Sequence, residues 1–131
     1  MDVPQFKEIR RTYGFNEVAI APGPVTVNPD QTEISFTLKN QTFPIPVLAS
    51  AMDAVVSPAF AISMGKLGGM AALNLEGVWT RYQDAESVLA GVSETPQNEV
   101  TELLQKIYAA PIQEELLGQR IQEIKEAGVV C

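Results

Sequence analysis

Apolar positions change their spacing several times along this chain. In EISFTLKN, residues 33–40, apolar and polar side chains alternate, the period-two pattern of a half-buried strand. QTFPIP then breaks the pattern. In PVLAS, residues 46–50, the apolar run follows a proline and is continuous, which predicts a strand buried on both faces. Ser57 and Pro58 supply an N-cap and a first-turn proline for the helix PAFAISMGKL. Within it Phe60, Met64 and Leu67 form one apolar stripe, and Gly68-Gly69 supplies the stop. MAALNL, residues 70–75, reads as a second apolar strand. Residues 46–75 are therefore one strand–helix–strand unit of about the length a parallel crossover needs.

Helical stretches are predicted near 83–92, 98–109 and 112–126. In the last, Leu117, Ile121 and Ile124 stand at i, i+4 and i+7, glutamates and Lys125 face water, and Gly128 ends the run. VVC then begins a third apolar strand. Residues 1–30 read as irregular, punctuated by Pro22, Gly23, Pro24 and Pro29, with EVAIA (17–21) as a short strand. Two strands and the first residues of a third do not close a parallel sheet, whose faces and edges must all be covered. The expectation is the N-terminal portion of a larger α/β protein; the alternative is a complete small α/β domain with its last strand at an edge. No internal repeat and no low-complexity tract is present.

Composition narrows the function classes. The chain has 131 residues, 46% of them apolar, enough for a real core. A net charge of −7 argues against a nucleic-acid backbone or an anionic membrane as the main partner. Histidine is absent, which removes the histidine triads and most zinc sites, so no metal site is expected. The one cysteine, Cys131, rules out a disulfide framework and fits a reducing, cytoplasmic setting. It reads as a buried, inert thiol. At the start, Lys7, Arg10 and Arg11 are followed by mixed polarity rather than an apolar signal region. The longest quasi-apolar stretch, 46–65, is broken by Asp53 and Pro58 and makes a poor membrane span.

Candidate chemistry gathers where PVLAS gives way to AMD. In parallel α/β folds, ligands bind at the carboxyl ends of strands, and Ser50 to Asp53 hold that position. Small residues let a ligand approach the backbone. The Ser50 hydroxyl suits a phosphate or sugar oxygen, and Met52 offers a polarizable surface to a flat base. Asp53 can bond nearby N–H groups and hold the loop. A crowded interior that admits only Ala49 and Ala51 explains the same small residues. The second strand ends in Asn74, Leu75, Glu76 and Gly77. Asn74 and Glu76 face the same mouth if the two strands are neighbours: Asn74 as a hydrogen-bonding group, Glu76 as a cap for the next helix or a solvated carboxylate. Trp79, Arg81 and Tyr82 lie together, as in arginine–aromatic stacking.

YGFNEVAIAPGPVTVNPDQTEI, then FPIPVLASAMDAVVSPAFAISMGKLGGMAALNLEG, then TRYQDAE and IYAAPIQEELLGQRIQEIKEAGV, resemble the N-terminal part of the IMP dehydrogenase/GMP reductase family. They are most similar to its IMP dehydrogenase-related branch without CBS modules. The resemblance implies a (β/α)8 barrel, a fold of about 250 residues. Residues 1–45 would be its leading segment, and residues 46–131 its first strand–helix units and the start of strand three. About fifty residues between LNLEG and VVC leave no room for CBS modules.

It further implies a cytoplasmic homo-tetramer that oxidises IMP to XMP in guanine nucleotide synthesis. In that chemistry a cysteine attacks the purine, hydride passes to NAD, and potassium supports the cysteine loop. In the family the cysteine loop, the arginine base and most phosphate-binding glycines follow later. The resemblance therefore implies no catalytic residue and no cation site among these 131 residues, and no IMP-dependent NAD reduction by them alone. Carried over residue by residue, Ser50 and Met52 match positions that line the nucleotide site, with Met52 against the purine, and Asp53 matches a structural loop residue. Asn74 and Glu76 fall at the cofactor mouth. Ala51 stands where the wider family has proline, and LNLE where many members have a His-His-Asn run. That second departure leaves GMP reductase, with NADPH, as the alternative enzyme. A catalytically inactive nucleotide-binding or assembly partner is the alternative of another class.

Overall fold

A two-residue turn at Lys39-Asn40 folds the first regular pairing of the computed structural model, which describes residues 10–131. The chain divides into two units, Met1–Thr32 and Glu33–Cys131.

In the first unit the described residues form no strand and are irregular apart from two turns. Glu17 closes a turn on Gly14, its N–H donating to the Gly14 carbonyl at 2.9 Å. Pro29–Gln31 form a short 3-10 turn after Asn28, whose N–H donates to Gln31 Oε1 at 3.1 Å. EVAIA forms no strand, contrary to the sequence expectation. An apolar run needs a strand to pair with, and Val18 and Ile20 are instead exposed.

The second unit opens with a hairpin. β1 (Phe36–Leu38) pairs antiparallel with β2 (Gln41–Phe43), in the register Phe36↔Phe43 and Leu38↔Gln41. Lys39 takes φ 54°, the left-handed conformation that lets two residues reverse a strand. The Phe36 and Phe43 rings stack with centroids 4.9 Å apart. QTF is thus the returning strand rather than the break the alternation suggested.

β3 (Leu48–Ala49) and β4 (Met70–Ala71) pair in parallel, Leu48 against Met70 and Ala49 against Ala71. Between them runs α1 (Pro58–Lys66), which starts where expected: Ser57 Oγ accepts from the Phe60 N–H at 3.0 Å. It stops before Gly68, whose φ of +93° suits only glycine. Residues 46–71 are accordingly a strand–helix–strand crossover, and the described fold is α/β.

Three details differ from expectation. β3 is not buried on both faces; Leu48 is 58% exposed, because β4 is its one strand neighbour among the described residues. The buried side of α1 is Pro58 and Ala61, not the Phe60–Met64–Leu67 stripe, and Leu67 is 73% exposed. Small residues face inward because α1 runs close to the chain after α4. VVC forms no strand, and Cys131 is exposed.

The remaining helices are α2 (Ala85–Glu94), α3 (Val100–Ala109) and α4 (Glu114–Glu126). On α4 the inward residues are Leu116 and Ile124, with Leu117 only half-buried. Two apolar clusters result. One joins Val56, Ala61, Ala71 and Ile124; the other joins Val78, Trp79, Ala85 and Ile107. Leu73 packs against both. No described helix is long and apolar enough to cross a membrane.

Candidate functional site

Because β3 and β4 are parallel neighbours, the loops after them, 50–57 and 72–77, leave the sheet at the same end. The first loop is a tight turn. The Met52 N–H donates to the Ser50 carbonyl at 2.8 Å, and the Met52 carbonyl accepts from the N–H groups of Val55 and Val56 at 2.9 and 2.8 Å. Its side chains part company. Ser50 and Ala51 are exposed and Met52 is 52% exposed, whereas Asp53 is only 8% exposed.

Asp53 is the junction of the site. Its Oδ1 accepts from Asn74 Nδ2 at 2.9 Å. Its Oδ2 accepts from the Val78 N–H at 2.8 Å and from the Tyr108 hydroxyl at 2.5 Å. Its main-chain carbonyl accepts from the Trp79 indole N–H at 3.0 Å. A buried carboxylate is costly unless such donors replace water, and here they come from the one stretch after β4 and from α3. No lysine or arginine pairs with it among the described residues. Gly77 makes the approach possible: a Cβ there would lie 1.9 Å from Asp53 Oδ1.

Tyr108 is pushed up to about 12, chiefly by burial of its hydroxyl, then by the bond to Asp53 and the charge there; nearby Arg81 acts in the opposite direction. The hydroxyl is therefore a proton donor throughout the neutral range. Arg81 lies 5.8 Å from the Tyr108 ring centroid and donates to the carbonyls of Glu76 and Ala110. Arg120, from α4, lies over Trp79 and donates to the carbonyls of Trp79 and Gln83 at 3.2 and 2.8 Å.

The structure thus brings Asp53 and Asn74 into direct contact. Asn74 Oδ1 also accepts from the Glu76 N–H at 3.1 Å, so both ends of its amide are engaged in the fold. The Glu76 carboxylate is exposed and caps no helix; Gly77 takes the N-cap position of the following turn. Trp79, Arg81 and Tyr82 do not stack together. The cation over Trp79 is Arg120, and Tyr82 donates to the Ile107 carbonyl at 3.1 Å. Sequence reasoning missed Gly77, Trp79 and Tyr108 as partners of Asp53. A glycine directly after LNLE was a readable signal, whereas nothing local pointed to Tyr108, 55 residues away.

A separate open apolar groove of about 560 Å³ lies between Ala72, Leu73 and Leu75 on one side and Ile121 and Ile124 on the other; Cys131 is at its edge, and neither Ser50 nor Met52 lines it.

Residues 12–131 match the model of the IMP dehydrogenase / GMP reductase domain. A protein of Mycolicibacterium smegmatis described as an uncharacterized oxidoreductase is 39% identical over 98% of this chain and 36% of its own length. A Mycobacterium tuberculosis protein of the same description is 37% identical over the same shares. The inosine-5'-monophosphate dehydrogenase of Methanocaldococcus jannaschii is 31% identical over 51% of this chain and 14% of its length. In structure, the chain is similar to an IMP dehydrogenase/GMP reductase-like protein from Corynebacterium glutamicum, with TM-score 0.83 and 31% identity over 98% of this chain and 36% of that one. The chain spans about a third of the length of the Mycolicibacterium smegmatis, Mycobacterium tuberculosis and Corynebacterium glutamicum proteins. A model match over almost the whole sequence, together with a matching backbone, establishes that the chain belongs to the IMP dehydrogenase/GMP reductase family.

Proposed function

We propose that the protein carrying this chain is a purine-nucleotide oxidoreductase that oxidises IMP to XMP with NAD, and that these residues form the substrate side of its site. The observation that carries the reading is the turn after β3. It exposes Ser50 and Met52 while burying Asp53, at the carboxyl end of a parallel strand. Ser50 would bond a phosphate or sugar oxygen, and Met52 would lie against the purine ring. Asp53 would hold the turn without touching substrate.

NAD, when bound, would supply the hydride acceptor. Asn74 and Glu76 offer it one remaining amide hydrogen and one exposed carboxylate. Those groups suit ribose hydroxyls and not a diphosphate, so their part is limited to the sugar. The strand–helix–strand order supports the opening of a (β/α)8 barrel, with residues 1–45 leading into it, and the family supports a cytoplasmic homo-tetramer.

The test is made on the full-length protein. IMP-dependent NAD reduction, with IMP binding at least tenfold weaker in Met52→Ala, is the expected result; a tenfold loss is about 1.4 kcal/mol. NADPH consumption with GMP and none of NAD with IMP would identify a reductase instead. IMP binding without turnover would identify the non-catalytic class. Residues 1–131 alone are expected to reduce no NAD.

A further inference from the structure

We infer that Tyr108 is a positioning residue for the rim: α3 holds the Ser50–Asp53 turn in its ligand-ready shape through one phenol–carboxylate hydrogen bond. The inference rests on the reading that Ser50 and Met52 meet the nucleotide.

Ser50 and Met52 have exposed side chains. Their placement therefore comes from the backbone of the turn. Burial of Val56 in the first apolar cluster fixes the far end of the turn, and two kinds of hydrogen bond act on the rest. The bonds between Ser50, Met52, Val55 and Val56 close the turn on itself but do not fix it to the rest of the fold. The outward polar anchor is Asp53. Three of its four partners, Asn74, Val78 and Trp79, lie in one short stretch after β4. Tyr108 is the partner from elsewhere, and its 2.5 Å bond is the shortest of the four. A short O–H···O⁻ bond is among the strong ones.

The hydroxyl approaches Asp53 from the last turn of α3, and that end of α3 is itself fixed. Tyr82 donates to the Ile107 carbonyl and Arg81 to the Ala110 carbonyl, while Ile107 is buried in the second apolar cluster. The Tyr108 ring is otherwise half in solvent, 41% exposed, so its hydroxyl is not there to fill the core. A binding group held by a side chain that is itself locked keeps its geometry to a fraction of an ångström.

The experiment compares wild type, Tyr108→Phe, Met52→Ala and the double variant of the full-length protein, by hydrogen exchange and by titration with IMP. In Tyr108→Phe, amides of residues 51–56 should exchange about threefold to tenfold faster, with those of α3 and α4 unchanged. IMP binding should weaken about threefold to tenfold, and the losses in the double variant should be less than additive, because Tyr108→Phe then disturbs only the part of the rim that Ser50 supplies. Unchanged exchange at 51–56 overturns the inference, as does faster exchange throughout α3 and α4, which marks a general structural role. Additive losses in the double variant overturn it too. If wild type fails to bind IMP, the nucleotide reading falls by itself, and exchange at 51–56 still decides whether Tyr108 positions the turn.

Discussion

Two places in the second unit solve the same problem, a close approach permitted by a glycine, with opposite chemistry. At the rim, Gly77 lets a backbone loop reach the buried Asp53 carboxylate, and the contact is fixed by directional hydrogen bonds. In α1, Gly65 admits Val129, and a Cβ there would lie 2.5 Å from the valine Cβ. That contact is apolar and non-directional, and it adjoins the open groove that Val129 helps line. Space alone would rank the two sites as near equals. The neighbours do not: a carboxylate held by three donors cannot retreat without leaving them unpaired, whereas Val129 sits in the irregular segment after α4, whose backbone can shift beside the open groove.

Gly77→Ala is the hardest blow to that contrast and should cost about 3 kcal/mol or more, since it both overpacks and breaks a buried polar network. Urea denaturation of the full-length protein measures it; a loss below that of Gly65→Ala would reverse the ranking. Asp53→Asn keeps the shape but turns one acceptor into a donor facing donors. It should cost about 2–3 kcal/mol. Gly65→Ala should cost about 1 kcal/mol, overpacking against Val129 being partly offset by better helix propensity. Gly91→Ala in α2 sharpens the reading, because nothing lies within 4 Å of its added Cβ. It should stabilise by about 0.5–1 kcal/mol.

The smallest effect is a pH dependence. Tyr108 is raised in the fold to about 12, against about 10 for an unfolded tyrosine. Between those values the unfolded chain gives up a proton that the folded one keeps. The stabilisation is therefore complete below about pH 10 and is lost as pH climbs towards about 12. Thermal melts across that range should show a steeper fall for wild type than for Tyr108→Phe.

Local signals were legible where one short stretch decides the outcome. Ser57 and Pro58 start α1 as read, since a cap needs only the residues beside it. The turn at Lys39-Asn40 was not legible, because neither residue is the glycine that usually announces it. The α1 stripe misled for a different reason. Phe60, Met64 and Leu67 satisfy the helical period, yet the inward face went to the small Ala61 and Gly65, where neighbouring chain comes close.

From its sequence alone, this chain determined the start of α1, its strand–helix–strand order, its family and the loop at Ser50–Asp53, because spacing and local propensity act within a few residues. Tertiary structure decided which helix face is buried, that Asp53 turns inward while Met52 turns out, and that Tyr108 closes the bond to it. Those outcomes depend on the burial of one carboxylate among donors drawn from distant segments, and such a balance is settled only when the segments meet.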